Sequence, residues 1–140
     1  MVRKGIFMVR KGKVLVCDVD GTIAHSKRDS QQDYSELKPI QKVLDKLMIL
    51  KSEGWHIIIS TARNMRTYDG DIDAITENML PILIKWLDKH KVPYDEIHIG
   101  RPWCGYEGFY VDDKTVRPRE FVDLSNSEIR ELLERDKIDS

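Results

Sequence analysis

KVLVCDVDGT, residues 13–22, is a short Val-rich apolar run that stops at two carboxylates and a glycine. Such a run predicts a buried strand over residues 13–20 that delivers its last residues into a loop. Asp18 and Asp20 lie two apart on extended chain, so their side chains point the same way, toward one ligand. Two close carboxylates repel; they are tolerated where a hard cation supplies the compensating charge, and oxygen donors of this kind suit Mg²⁺ better than softer metals. Gly21 permits a turn that a side chain would obstruct, and the Thr22 hydroxyl can bond back to the loop. Asp-Gly alone is a common turn dipeptide, but DVDGT after an apolar strand is a far more specific signal.

Outward from this stretch, strand and helix patterns alternate. Between residues 39 and 52, Ile40, Val43, Leu44, Leu47, Met48 and Leu50 recur at helical spacing, with Pro39 near the first turn and Gly54 just past the end. Residues 56–61 (HIIIST) read as a second strand, the three isoleucines suggesting burial on both faces of a parallel sheet. Over residues 72–89 a helical pattern runs through Ile75, Met79, Ile82, Leu83, Trp86 and Leu87, with Pro81 predicting a kink or a break. Residues 97–99 are a brief third strand and 108–112 (GFYVD) a fourth, in which Tyr110 is expected to join the core. Ser125-Asn126-Ser127-Glu128 fits a capping box opening a last helix. The order predicts an α/β fold of three layers around a mostly parallel sheet.

A chain of 140 residues is the size of one domain, read here as residues 1–140 with 1–12 as a flexible N-terminal extension. MVRKG occurs at residues 1–5 and again at 8–12, too short for a structural repeat. With 41% apolar and 34% charged residues the composition is that of a globular domain. Lys and Arg number 23 against 24 Asp and Glu, so no global field favours nucleic acid or an anionic membrane, and any anion must be captured locally. Cys17 and Cys104 form neither a CxxC pair nor a zinc-site spacing, and two free thiols suit a reducing cytoplasm. No signal-peptide core or apolar run of membrane-spanning length is present in the sequence.

Ligands of open parallel sheets bind at the carboxyl ends of the strands, where Asp18, Thr61 and Asp112 are all expected. With these positions in view, the chain resembles the haloacid dehalogenase (HAD) superfamily, whose phosphatases carry an aspartate nucleophile in a DxDGT motif, here Asp18 to Thr22. Thr61 within IIISTAR is similar to that superfamily's second motif, and Asp112-Asp113 to its acidic last motif. For the third motif, a lysine or sometimes an arginine, Arg101 in GRPW is the best match, with Lys89, Lys91 and Lys114 as competing cations. The resemblance implies a Rossmann-like core in which Asp18 attacks the phosphoryl group, Asp20 is acid and base, and Thr61 and Arg101 hold the phosphate. Arg63, close behind Thr61, is a candidate either for a further substrate contact or for a structural salt bridge, and Asp18, Asp20, Asp112 and Asp113 are implied around Mg²⁺.

The segments STARNMRTYDGDI, KWLDKHKVPYDEIHIGRPW and GFYVDDKTVRP most resemble small phosphatases of capsular polysaccharide biosynthesis, which implies a sugar phosphate as substrate; Arg101 stands where much of that group has lysine. Neither residues 26–37 nor 63–101 leave room for a large cap domain, so the site is expected to be open unless another subunit of a homo-oligomer covers it. Tyr68, Trp103 and Tyr106 are candidates for a sugar platform, a subunit contact or core packing, and His25 for a substrate contact or a solvated loop position. A nucleotide or polynucleotide phosphatase would need the same residues, though without a basic excess nucleic acid is not an expected partner. A phosphoryl transferase and a non-hydrolytic phosphate-binding module are the remaining alternatives.

Overall fold

Each of the three apolar runs ahead of residue 100 forms a strand in the computed structural model, which describes residues 10–29 and 31–138. The MVRKG repeat and most of the expected N-terminal extension lie outside the described residues. The chain clusters into two compact units, Met1–Trp103 and Cys104–Ser140.

In the first unit, β1 (Val14–Cys17), β2 (His56–Thr61) and β3 (Glu96–Ile99) make an open three-stranded sheet in that order. Both ladders are parallel, with Val14 opposite His56 and Ile58 opposite Glu96. Parallel neighbours need crossovers, supplied by α1 (Gln41–Ser52) between β1 and β2 and by α2 (Ile72–Asn78) and α3 (Leu80–Lys89) between β2 and β3. Crossovers between parallel strands are right-handed as a rule, and two such crossovers stepping in the same direction put their helices on one face of the sheet. Burial agrees: Cys17, Ile57, Ile59, Thr61 and Ile97, which share that face by register, are 0–6% exposed. On the other face Ile58 is half-buried and Val16 is 61% exposed, so the isoleucine run of β2 alternates instead of being buried on both sides.

Local signals place the helix ends. Helix α1 stops at Glu53, where the Gly54 and Trp55 amides close onto the Lys51 and Leu50 carbonyls. Pro81 sits in the first turn of α3, and Met79 is at once the C-cap of α2 and the N-cap of α3, so the proline break is a change of helix. The break resets the helical phase. Leu80, Leu83, Trp86 and Leu87 turn inward, and Ile82, which an unbroken pattern would bury, is 43% exposed. Met48 of α1 is likewise exposed, not core. A short 3₁₀ turn, Tyr34–Glu36, is capped by the Asp33 side chain and followed by Leu37, whose carbonyl accepts from Trp86 Nε1 at 2.8 Å.

Within the second unit, residues 108–112 form no strand. A strand persists only with a partner, and the described residues of this unit contain two helices and no strand to pair with. Phe109 is 74%, Tyr110 45% and Val111 90% exposed, so the expected fourth strand and the core position of Tyr110 are both corrected. Helices α4 (Pro118–Asp123) and α5 (Asn126–Arg135) follow. The expected capping box is present in full: Ser125 Oγ accepts from the Glu128 amide at 3.1 Å, and Glu128 accepts from the Ser125 amide at 2.9 Å. Among the described residues no helix is long and apolar enough to cross a membrane.

Candidate active site

The chain leaves β1 at Asp18 and folds back at once. The amides of Thr22, Ile23 and Ala24 all donate to the Val19 carbonyl at 2.9–3.1 Å, and the Gly21 amide donates to the Ala24 carbonyl at 2.8 Å. This tight turn, with Val19, Ile23 and Ala24 fully buried beneath it, pins both carboxylates at the carboxyl end of the sheet. Asp18 is about one-third exposed and Asp20 similarly so.

Thr61 ends β2 beside this loop. It is 1% exposed, and its hydroxyl oxygen accepts from the Arg63 amide at 3.0 Å, which leaves the hydroxyl hydrogen to donate elsewhere. Its carbonyl accepts from the Arg101 amide at 3.1 Å, so the segment leaving β3 is tied to the end of β2. Between β3 and Arg101 stands Gly100 at φ +84°, where an added Cβ would lie 2.6 Å from Ile72 Cδ1 at the start of α2. The turn aims Arg101 at the first carboxylate, with Nη1 3.9 Å from Asp18 Oδ1. Lys89 and Lys91 precede β3 at the opposite end of the sheet, which removes them as competitors within this unit.

Arg63 goes inward. Of the two roles open to it, a substrate contact or a salt bridge, the second is present: its side chain is 1% exposed and forms a two-pronged ion pair with Asp20, Nη2 to Oδ1 at 2.7 Å and Nε to Oδ2 at 3.1 Å. Its guanidinium carbon stands 4.1 Å from the centre of the Tyr34 ring, and Lys27 Nζ is 3.7 Å from the same centre. Tyr34 and Lys27 come from the aperiodic polar stretch between β1 and α1, where an aromatic residue among polar neighbours was the only available signal. His25, in the same stretch, is exposed, while Tyr68 is half-buried.

Burial pushes the Asp18 carboxyl above its ordinary range; the Val19 amide and Arg101 pull it back, Asp20 adds to the rise and Arg63 opposes it. The preceding Cys17 thiol is pushed up to about 12 by burial and by the Asp18 charge, so it stays protonated and unreactive. A hard cation fits at Asp18: this oxygen donor, disfavoured as an anion, sits beside a second carboxylate, and while Arg63 is bonded to Asp20, the Arg101 guanidinium stands 3.9 Å from Asp18, beyond hydrogen-bonding distance. Among the described residues no three His, Cys, Asp or Glu side chains gather as a metal cluster. Mg²⁺ nonetheless needs few protein ligands, because it keeps several of its waters.

In the second unit, Asp112 and Asp113 are exposed on a turn. Asp112 Oδ1 accepts from the Lys114 amide at 2.8 Å, and its carbonyl accepts from Thr115 Oγ1 at 3.2 Å.

Comparison with solved structures finds the crystal structure of an MCSG target from Vibrio cholerae, at 47% sequence identity and a TM-score of 0.85, covering 90% of this chain and all of the other. The chain belongs to the same family as that protein. No protein-family model and no curated protein matches it. The name of the Vibrio cholerae relative carries no activity, so the likeness bears on kinship and fold.

Proposed function

We propose that this protein is a Mg²⁺-dependent phosphomonoester hydrolase with a HAD-type core and no large cap, acting on a sugar phosphate. The observation that carries the reading is the convergence, at the carboxyl end of a parallel sheet, of Asp18 and Asp20 on one tight turn with the Thr61 hydroxyl and with Arg101 3.9 Å from Asp18. Binding an anion would not require a carboxylate nucleophile beside a second carboxylate. Transferring a phosphoryl group through a covalent intermediate requires both.

In the proposed reaction an Asp18 oxygen attacks phosphorus, the ester P–O bond breaks, and protonated Asp20 gives its proton to the leaving alkoxide. Water then attacks the aspartyl-phosphate, Asp20 takes a proton from that water, and cleavage of the Asp18 O–P bond releases phosphate. Thr61 donates its free hydroxyl hydrogen, and Arg101 its guanidinium, to the phosphoryl oxygens that gain charge in each step. Bound Mg²⁺ would supply screening between the carboxylate and the phosphate, with Asp18 and the Asp20 carbonyl as donors. Assignment of Asp112, and of Asp113 outside it, to the same ion rests on the superfamily resemblance, as does the sugar substrate.

The test is phosphate release from a panel of sugar phosphates and nucleotides with Mg²⁺ or with chelator, comparing the parent with Asp18→Asn. Sugar-selective, chelator-sensitive release that the substitution abolishes is the expected result. Turnover by Asp18→Asn near that of the parent sinks the mechanism, and preference for nucleotides sinks the substrate assignment.

A further inference from the structure

The Arg63–Asp20 pair is a costly arrangement if stability is its only purpose. A guanidinium 1% exposed has given up its water, and its Nη1 atom has no hydrogen-bond partner among the described residues. Buried ion pairs recover little of that desolvation cost, and apolar side chains of similar volume commonly serve stability as well or better. The same pair is well suited to fixing a carboxylate. Two N–H···O bonds from one rigid plane, at 2.7 and 3.1 Å, engage both Asp20 oxygens and stop rotation about the Cβ–Cγ bond. A carboxylate has about four acceptor directions, so two of the Asp20 lone-pair directions remain, and one of them can carry the proton that Asp20 passes on.

The guanidinium is itself held from two sides. Its main chain is tied to the end of β2, where the Arg63 amide donates to Thr61 Oγ1 at 3.0 Å. Its plane lies over Tyr34, 4.1 Å from the ring centre, and Tyr34 opens a 3₁₀ turn whose first turn is closed by the Asp33 side chain accepting from the Ser35 amide at 2.9 Å. Immediately after Arg63 the chain reverses through Asn64 at φ +64°, a left-handed conformation that asparagine tolerates better than most residues. Asp20 thus stands on a floor built from two separate segments, while Asp18 is oriented by its own turn and by Arg101.

We infer that Arg63 is a positioning residue for Asp20, with Tyr34 as its platform: it sets the carboxyl at the place where a proton is passed to the leaving group. The inference rests on the phosphatase reading above. It predicts a loss that depends on how much the leaving group needs that proton. An alkoxide from a sugar needs it; 2,4-dinitrophenolate, a stable anion, leaves without it.

The experiment compares kcat/KM, which reports only the steps up to departure of the leaving group and not the shared hydrolysis of the aspartyl-phosphate, for a hexose phosphate and for 2,4-dinitrophenyl phosphate in the parent, Arg63→Lys and Tyr34→Leu. Lysine keeps the charge but cannot make the two-pronged contact, and a misplaced reacting group costs on the order of 100-fold. Arg63→Lys is therefore expected to lower kcat/KM for the hexose phosphate by roughly 10- to 100-fold while kcat/KM for the dinitrophenyl ester changes less than about threefold. Tyr34→Leu, which loosens the guanidinium without replacing it, keeps the test open if the lysine variant does not fold by circular dichroism. Its expected result is the same split at smaller size. Equal losses on both esters, or no loss on either, overturn the inference while leaving the phosphatase reading intact. A parent protein that hydrolyses neither ester overturns the phosphatase reading and this inference with it.

Discussion

Replacing Gly100 with alanine tests whether the site depends on the turn after β3. Two costs add. Gly100 lies at φ +84°, a left-handed conformation that costs an L-residue with a side chain about 1–2 kcal/mol. The new Cβ also meets Ile72 Cδ1 at 2.6 Å, and pushing that side chain off its rotamer adds about 0.5–1.5 kcal/mol. The expected destabilisation is therefore about 1.5–3.5 kcal/mol. Gly54→Ala is the internal control: φ is +91° there but nothing stands within 4 Å of the added carbon, so only the backbone cost applies. Urea unfolding followed by tryptophan fluorescence measures both. With a slope of about 2 kcal/mol per molar, the Gly100→Ala midpoint should fall by ~1–2 M and the Gly54→Ala midpoint by roughly 0.5–1 M. Because the Arg101 amide bonds to Thr61 and its guanidinium faces Asp18, only Gly100→Ala should also slow phosphate release. Equal midpoints for the two variants, or unchanged turnover in Gly100→Ala, would refute the claim that this turn aims Arg101.

Two other outcomes follow from the sheet and its helices. Glu96, with a side chain 3% exposed, accepts from His56 at 2.5 Å and His98 at 3.2 Å. The His56 bond, working against desolvation and aided by His98, holds its carboxyl below the usual range. A depressed folded-state value gives stability that is present above the unfolded value, near ~4.3, and is lost as pH falls through the folded one. Acid titration of the unfolding midpoint should therefore drop more steeply below about pH 4 in the parent than in Glu96→Gln, and parallel curves would exclude Glu96 as a source of that dependence. Leu83→Ala, at a fully buried position on α3, should cost about 2–5 kcal/mol in the same urea assay, whereas Ile82→Ala on the exposed face should cost less than 1.5 kcal/mol or so.

What the sequence disclosed was local in origin. The three strands were legible because each is a compact apolar run, and the ends of α1, α3 and α5 because Gly54, Pro81 and the Ser125 box act on their own neighbours. Placement of Asp18, Asp20 and Thr61 at strand ends followed from the same runs. Pairing was not legible. Whether residues 108–112 form a strand depends on a partner strand, which no property of GFYVD specifies. Helix α4, six residues long, is too short to display a period. Arg63 was noticed for its nearness to Thr61 in the chain, but the carboxylate it binds is 43 residues away. Tyr34 carried no periodic signal at all.

Cys17 makes the sheet its own reporter. Its sulfur is buried at the end of β1, next to the proposed nucleophile, and its proton is held up to about 12, so alkylating reagents at neutral pH meet almost no thiolate there. Labelling of Cys17 then requires the strand to open first. The ratio of its labelling rate to that of an unstructured thiol gives the free energy of that opening, read at a single residue beside the catalytic turn.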